Sequence, residues 1–349
     1  MRYPVATINY NGSKDTVQLI RSLSESGESF DLIIVDNRSP KTGEVGVISD
    51  YVCDAFHVQP AGISYEADRV LTGCRFELND RQRVTVIEAD SNYGFSGGTN
   101  IGLRYAIETY PEAEFLTILN NDTEVTPGFL SEVTDKMDKY DLAAAMGTIL
   151  YFDAPEPTIW SIGGPISFWK GQGIHERKDT VFVPGSVQDE VVFRRFISGC
   201  FTVFRRDPLI SIGLLDEDYF FAGEEYQYSY ELSRKNRIGW VPKSVIYHKS
   251  VLGVGNGSSH DISEMKWKYN AYMVKIVFVN KNRSALFRFL WHIVFRLYVS
   301  LKLKKRFIRD GYQPGQFDYL KRSLFSHIHE TRFSKEDFDS FAAGLKDWE

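Results

Sequence analysis

The sequence predicts an α/β fold, a mixed and mostly parallel sheet with helices on both faces, followed by a helical C-terminal region. Three observations predict it. Short apolar runs alternate with helix-like segments through the first half of the 349 residues, the β-α-β rhythm of such a sheet. Polar residues cluster just beyond those runs, where open α/β sheets bind ligands. From about Ser263 onward the chain turns into long aromatic and basic helical segments.

In chain order, Pro4 to Asn9 reads as a strand and Asn9-Tyr-Asn-Gly-Ser-Lys-Asp15 runs on into a turn. Thr16 to Leu23 reads as a helix, and Leu32 to Val35 as a buried strand ending at Asp36. Val84 to Ile87 and Phe115 to Leu119 are two more strands, with a helix over Gly98 to Glu108 between them. Residues 40–83 read as an elaborated connection, and residues 147–196, rich in Gly, aromatic and β-branched types, as antiparallel strands and loops. The expected division is a catalytic domain over 1–262 and a basic, membrane-associating helical region over 263–349. The last stretch, Ser334 to Glu349, reads as a short amphipathic helix.

Composition narrows the class. With 43% hydrophobic and 25% charged residues the chain reads as a soluble globular protein, not a disordered one. Three scattered cysteines, Cys53, Cys74 and Cys200, contain no C-x-x-C pair, which argues against a zinc site and a disulfide framework. The N-terminus lacks an apolar signal-peptide core. A reducing, cytoplasmic setting is expected, where the N-x-[ST] triplets at Asn11 and Asn256 carry no glycan. Lys266 to Arg309 holds twelve Lys or Arg and no acid; removing it from the net charge of −5 leaves −17 on the rest. A basic block on an acidic body points to a local anionic partner, not to nucleic acid.

Four segments carry candidate chemistry. Phe115-Leu-Thr-Ile-Leu-Asn-Asn-Asp122-Thr123 delivers Asn120, Asn121 and Asp122 at a strand end, oxygens suited to Mg²⁺ or Mn²⁺ beside a diphosphate. The same residues also read as a capped turn. Asn92-Tyr-Gly-Phe-Ser-Gly-Gly98-Thr-Asn100-Ile-Gly102 leads from a strand to a helix N-terminus, a place for phosphate or a base edge, or for close helix packing. It fits neither the dinucleotide nor the P-loop pattern. Tyr219-Phe-Phe-Ala-Gly-Glu224-Glu225-Tyr-Gln227 sets two acids after an aromatic anchor, as a general base or as helix-capping charges. His248 ends an apolar run as a metal or phosphate ligand, or as a plain structural residue.

In this order, these segments resemble glycosyltransferase family 2, above all its bacterial and archaeal rhamnosyltransferase-like members. The matching elements are Val5-Ala-Thr-Ile-Asn-Tyr-Asn-Gly12, Ile34-Val-Asp36-Asn-Arg-Ser39, the Asn92–Gly102 segment and Leu119-Asn-Asn-Asp-Thr123. Ser198-Gly-Cys-Phe-Thr-Val-Phe-Arg-Arg206, the Glu224-Glu225 region, and His248 with the glycines after it complete the set. The resemblance implies a GT-A fold, a nucleotide-sugar donor (UDP-, dTDP- or GDP-linked) and inversion at the anomeric carbon. It implies nucleotide-sugar contacts from Asn9, Asn11, Asp36, Asn92, Gly94, Gly98, Asn100 and Asn121, with Asp36 at the nucleoside. Asp122, Asn120 and His248 would hold Mg²⁺ or Mn²⁺ through the donor diphosphate. Glu225, beside Glu224, falls on the catalytic-base position. Where the family commonly has Glu-Asp-x-Asp, this chain has Glu224-Glu225-Tyr226-Gln227, and Gln227 cannot act as a base.

The tail segment Ala285 to Phe307 is interrupted by Arg288 and Arg296 and so reads as a helix lying in a membrane interface, with packing on the body as the other reading. A glycan or lipid-linked acceptor at the cytoplasmic membrane face follows as the expectation. Two rivals stay open. A nucleotidyltransferase would need a Gly-rich, basic loop after the first strand, which Asn9 to Asp15 lacks apart from Lys14. The other is a non-catalytic sugar- or lipid-binding protein derived from a transferase.

Overall fold

The computed structural model describes residues 2–66, 70–183, 185, 189–250 and 262–345. The expectations resting on Asn256 and on Gly253, Gly255 and Gly257 lie outside them.

The series of elements up to His248 runs in chain order: β1 (Tyr3–Asn9), α1 (Ser13–Glu25), β2 (Phe30–Asp36), α2 (Glu44–Phe56), β3 (Ala61–Glu66), β4 (Val70–Glu77), β5 (Gln82–Glu88) and α3 (Gly94–Thr109). Then come β6 (Phe115–Leu119), β7 (Thr123–Val125), α4 (Phe129–Tyr140), β8 (Leu142–Tyr151), β9 (Ile159–Ser161) and the two-residue strands β10 (Ile166–Ser167) and β11 (Gln172–Gly173). β12 (Val192–Arg194), β13 (Phe201–Arg205), α5 (Arg206–Ser211), α6 (Glu224–Lys235) and β14 (Arg237–His248) complete it.

Ten strands run β12-β14-β8-β13-β6-β1-β2-β5-β4-β3 across one sheet, with β7 on β14 and β9 on β8. β1, β2, β5 and β6 pair in parallel. β13 enters antiparallel between β6 and β8, and β14 lies parallel to β8. The carboxyl ends of β1, β2, β5, β6, β8 and β14 therefore share one edge, and the amino end of β13 joins them. The sequence pattern explains the centre. β2, β6 and β8 are buried at every residue, as strands covered on both faces must be. α1 shows the complementary pattern, burying Thr16, Leu19, Ile20 and Leu23 along one stripe.

Two sequence expectations need correction. α3 starts at Gly94, not Gly98, so the glycine run is helix and not loop. These glycines let the helix approach the sheet. A Cβ on Gly102 would stand 3.0 Å from that of Ala6, and one on Gly98 3.1 Å from the Ile8 and Asn37 side chains. The connection over residues 40–83 is ordered as α2, β3 and β4, the strands extending the sheet antiparallel beyond β5. The antiparallel character expected for residues 147–196 is met by β9 and β12.

The chain divides into two compact units. One is Met1–Pro165, Gly173–Asp216 and Glu225–Leu252; the other gathers Ile166–Gln172, Glu217–Glu224 and Gly253–Glu349. The second is helical: α7 (Ile262–Asn282), α8 (Ala285–Tyr298), a π-helical turn over Val299–Leu303, α9 (Lys304–Arg309), α10 (Pro314–Ser326) and α11 (Lys335–Ala343). Tyr269 of α7 stacks on Phe341 and meets Phe333 edge-on, which ties the ends of this unit together. Among the described residues no helix is long and apolar enough to cross a membrane.

The close approach of α3 yields a direct test. Gly102→Val should cost about 1–3 kcal/mol of unfolding free energy by overpacking against Ala6 and Val35, read as a lower urea midpoint at unchanged m-value.

Candidate active site

Strand ends become a site only if something fixes their polar side chains, and here a buried chain of hydrogen bonds does so. Asn121 Nδ2 donates to Thr16 Oγ1 (3.0 Å), Thr16 Oγ1 to Asn9 Oδ1 (3.0 Å), and Asn9 Nδ2 to Asp36 Oδ1 (2.8 Å). Ser39 closes the end, its backbone N–H on Asp36 Oδ2 (3.1 Å) and its hydroxyl on Oδ1 (2.6 Å). The chain links the ends of β6, α1, β1 and β2. Asn9 is fully buried with its amide spent on Thr16 and Asp36, so it positions the Asp36 carboxylate. Asn121 likewise spends its amide N–H groups on Thr16 and on the Gly12 carbonyl (3.3 Å). Exposed Asn11, at φ 56°, accepts from the Lys41 N–H (3.0 Å) and shapes the neighbouring loop.

Beside Asp36 that loop borders a cleft of about 480 Å³, lined among others by Arg38, Ser39, Lys41, Glu44 and Glu88. Asn37 and Asn92 set its neighbour, the start of α3. Asn37 Nδ2 donates to Asn92 Oδ1 (3.1 Å) and the Gly94 carbonyl (2.8 Å), and Asn92 Oδ1 accepts the Gly94 N–H (2.9 Å). Gly94 and Gly98 are buried. Asn100 is buried too, exchanging two hydrogen bonds with the Leu215 backbone (2.9 and 3.0 Å). Asn100 and Gly98 therefore both serve packing.

Asp122 sits at the far end of the chain, one residue past Asn121. Its Oδ2 faces His248 Nε2 at 3.2 Å, and its carbonyl accepts the Lys249 N–H (2.9 Å). The β14–β7 register that pairs His248 with Thr123 makes this meeting obligatory. Burial opposes the charge, but the His248 hydrogen bond and the nearby Lys249 cation outweigh it and hold the Asp122 carboxyl below its usual range. Asp122 is thus ionised at neutral pH. Its Oδ1, Asn120 Oδ1 and His248 Nδ1 are buried with no hydrogen-bond partner among the described residues.

Those orphaned oxygens fit a hard divalent cation. Among the described residues no group of three or more His, Cys, Asp or Glu side chains forms a ready cage. An ion here would take part of its coordination from water and a ligand diphosphate, the usual habit of Mg²⁺.

Glu225 reaches the same edge from the start of α6. Its Oε2 accepts the Gly199 N–H at 2.8 Å, from the turn that leads into β13. Desolvation pushes its carboxyl up to about 7, against the lowering pull of that hydrogen bond and of Lys178. Cys200 lies within electrostatic reach of both Asp122 and Glu225, and burial first, then these two carboxylates, raises its thiol far above the usual range. Glu224 is 3% exposed while Glu225 is half-buried, so of the two acids Glu225 is the reachable one. Gln227 is buried, with its amide donating to Glu231 (3.2 Å).

Sequence reasoning missed the wall behind His248. The Trp160 ring meets the His248 ring at 4.5 Å and the His175 ring at 5.4 Å. Lys178 Nζ stands 5.5 Å over the same indole. His175 Nδ1 pairs with Ser161 Oγ at 2.8 Å, and burial, then Lys178, lowers its value to about 4, so it stays neutral. These residues come from an irregular stretch whose only advance signal was its aromatic content.

Residues 68–213 match the family model described as Glycosyl transferase family 2. No curated protein matches the chain. Among solved structures, GalNAc-T7 with UDP, GalNAc and Mn²⁺ is similar at a TM-score of 0.56 and 14% identity, covering 94% of this chain and 57% of that one. S. aureus TarS 1-349 is similar at a TM-score of 0.47 and 13% identity, over 100% of this chain and 91% of that one. This chain thus spans little more than half of the GalNAc-T7 chain. At such identities the likeness is one of fold, and the fold is GT-A.

The role of Asn100 is open to measurement. Asn100→Ala should lower stability by about 1–3 kcal/mol by orphaning the Leu215 backbone groups, while leaving nucleotide affinity, read by calorimetry, unchanged.

Proposed function

We propose, for a chain whose residues 68–213 match the glycosyl transferase family 2 model, that it is an inverting glycosyltransferase using a nucleotide-diphospho-sugar. The observation that carries this reading is the convergence on one sheet edge of an ionised Asp122 with an orphaned oxygen and a Glu225 carboxyl poised near neutrality. A leaving diphosphate needs its growing charge neutralised, and an attacking hydroxyl needs a base.

The nucleoside occupies the cleft beside Asp36, and the diphosphate extends along the edge toward Asp122. Asp122, with the Asn120 oxygen and His248, would hold Mg²⁺ or Mn²⁺, which would supply Lewis-acid stabilisation of the leaving diphosphate. GalNAc-T7 in complex with UDP and Mn²⁺ supports a UDP-linked donor and Mn²⁺ here, with dTDP and GDP as the other bases to test. Glu225 accepts the proton of the acceptor hydroxyl as that oxygen attacks C1 from the face opposite the diphosphate. The Gly199 N–H keeps its carboxylate aimed, and the Trp160–His175 wall keeps the His248 ring turned toward Asp122. The sugar moved is rhamnose or another hexose. The acceptor is a hydroxyl of a surface glycan under construction, free or lipid-linked, at the cytoplasmic face of a membrane.

A base near neutrality fixes the pH behaviour. The rate, as kcat/KM, should climb as Glu225 loses its proton and level off above about pH 7. Glu225→Gln should keep nucleotide binding and lose roughly 10²–10⁴-fold in kcat. The same shift has a stability consequence of opposite sign. Because the folded-state value of about 7 lies above the ordinary 4.5, the protein should lose stability relative to Glu225→Gln as pH rises between those values. A melting-temperature gap that failed to widen over that window, or a Gln variant with full turnover, would remove Glu225 from the mechanism.

A further inference from the structure

The exposed side of α8 has the wrong chemistry for water. Its inner face is ordinary: Trp291, His292 and Phe295, followed by Val299, are buried within the C-terminal unit. The outer face of such a helix is normally polar. Here Leu286, Phe289, Ile293, Val294, Leu297 and Leu301 are each 44% to 70% exposed, at spacings that set them along one side of the helix and the π-helical turn after it. At its start, Trp169 is 58% exposed, packs on Phe287 at 4.9 Å, and accepts a hydrogen bond from Trp291 Nε1 on its carbonyl (3.0 Å). An unbroken exposed apolar stripe of this kind marks a contact surface.

The charges beside it say what the contact is. Lys302, Lys304, Lys305, Arg306 and Arg309 follow the stripe, all exposed. Among the described residues Asp310 is the one acid paired with them, to Arg306 (3.5 Å) and Arg309 (3.0 Å). Lys302, Lys304 and Lys305 make no ion pair among the described residues. A second copy of this chain laid against the stripe would bring two such cationic segments together. An anionic lipid surface satisfies both features at once, taking the aliphatic row into its acyl boundary and the ammonium groups among its head groups. An exposed Trp is at home at that depth.

We propose that the outer stripe of α8 and the cations of residues 302–309 form a docking face for an anionic lipid bilayer, the helix lying in the plane of the interface. This deepens the membrane placement given under the proposed function and rests on that placement, not on the transfer chemistry. It places the cations as the source of selectivity for charge and the stripe as the source of salt-resistant binding.

The test is flotation of the full chain with vesicles of phosphatidylglycerol and phosphatidylcholine, beside vesicles of phosphatidylcholine alone. The protein should float with the anionic vesicles, remain behind with the neutral ones, and weaken steeply but incompletely as salt rises. Ile293→Asp with Leu297→Asp, and separately Lys302→Glu with Lys305→Glu, should each lower anionic-vesicle binding by more than about tenfold. Both pairs are exposed, so melting temperature and transfer to a water-soluble acceptor should stay at the parent values. Equal binding by parent and both variants would overturn the proposal. So would no flotation of the parent, or a parent dimer in sedimentation that Ile293→Asp dissolves. Vesicle binding without sugar transfer would uphold the docking face and count against the transferase reading alone.

Discussion

The arrangement hangs on one buried row of hydrogen bonds, from Asn121 through Thr16 and Asn9 to Asp36. Parallel pairing brings the strand ends level, Asn9 beside Asp36 in register, but register alone does not aim side chains. The row does, and each link is satisfied at both ends, the condition under which buried polar groups specify a structure instead of weakening it. Its two termini are the Asp36 carboxylate beside the cleft at one end and Asp122, next in sequence to Asn121, at the other. On the proposed reading, the distance between nucleoside and diphosphate would thereby be built into the sheet.

Around that row two carboxyls are driven in opposite directions. Asp122 has a partner in His248 and a cation nearby, and stays charged. Glu225 has one backbone donor and little solvent, and is held near neutrality. The protein tolerates a carboxyl whose ionisation destabilises the fold because such a group can take up a proton at physiological pH. Cys200, between them in electrostatic reach, is kept as an unreactive thiol.

The parts of the fold that were legible in the sequence are those where burial dictates composition. β6 coincides with the predicted run Phe115–Leu119, because a strand covered on both faces favours apolar residues, here all but Thr117. Asp122, His248 and Glu225 were legible as residue types at strand and helix ends. That the Asn9 and Asn100 amides are spent inside the protein was not legible, because sequence reports that an amide is present, not where its hydrogen bonds go. The start of α3 was misread because glycine suggests a loop, whereas here it admits close helix-on-sheet packing. Trp160, His175 and Lys178 went unseen because the stretch that carries them has no periodicity to place it.

On the proposed reading the Asp122 edge is an incomplete metal site that a ligand diphosphate would finish. The direct measurement is Mn²⁺ binding followed by electron paramagnetic resonance, with and without UDP, dTDP or GDP, on the parent protein and on Asp122→Ala. Weak Mn²⁺ binding is expected of the protein alone, strong binding once one nucleotide is added, and loss of that gain in Asp122→Ala. Tight Mn²⁺ binding without nucleotide, or an undiminished gain in Asp122→Ala, would contradict it.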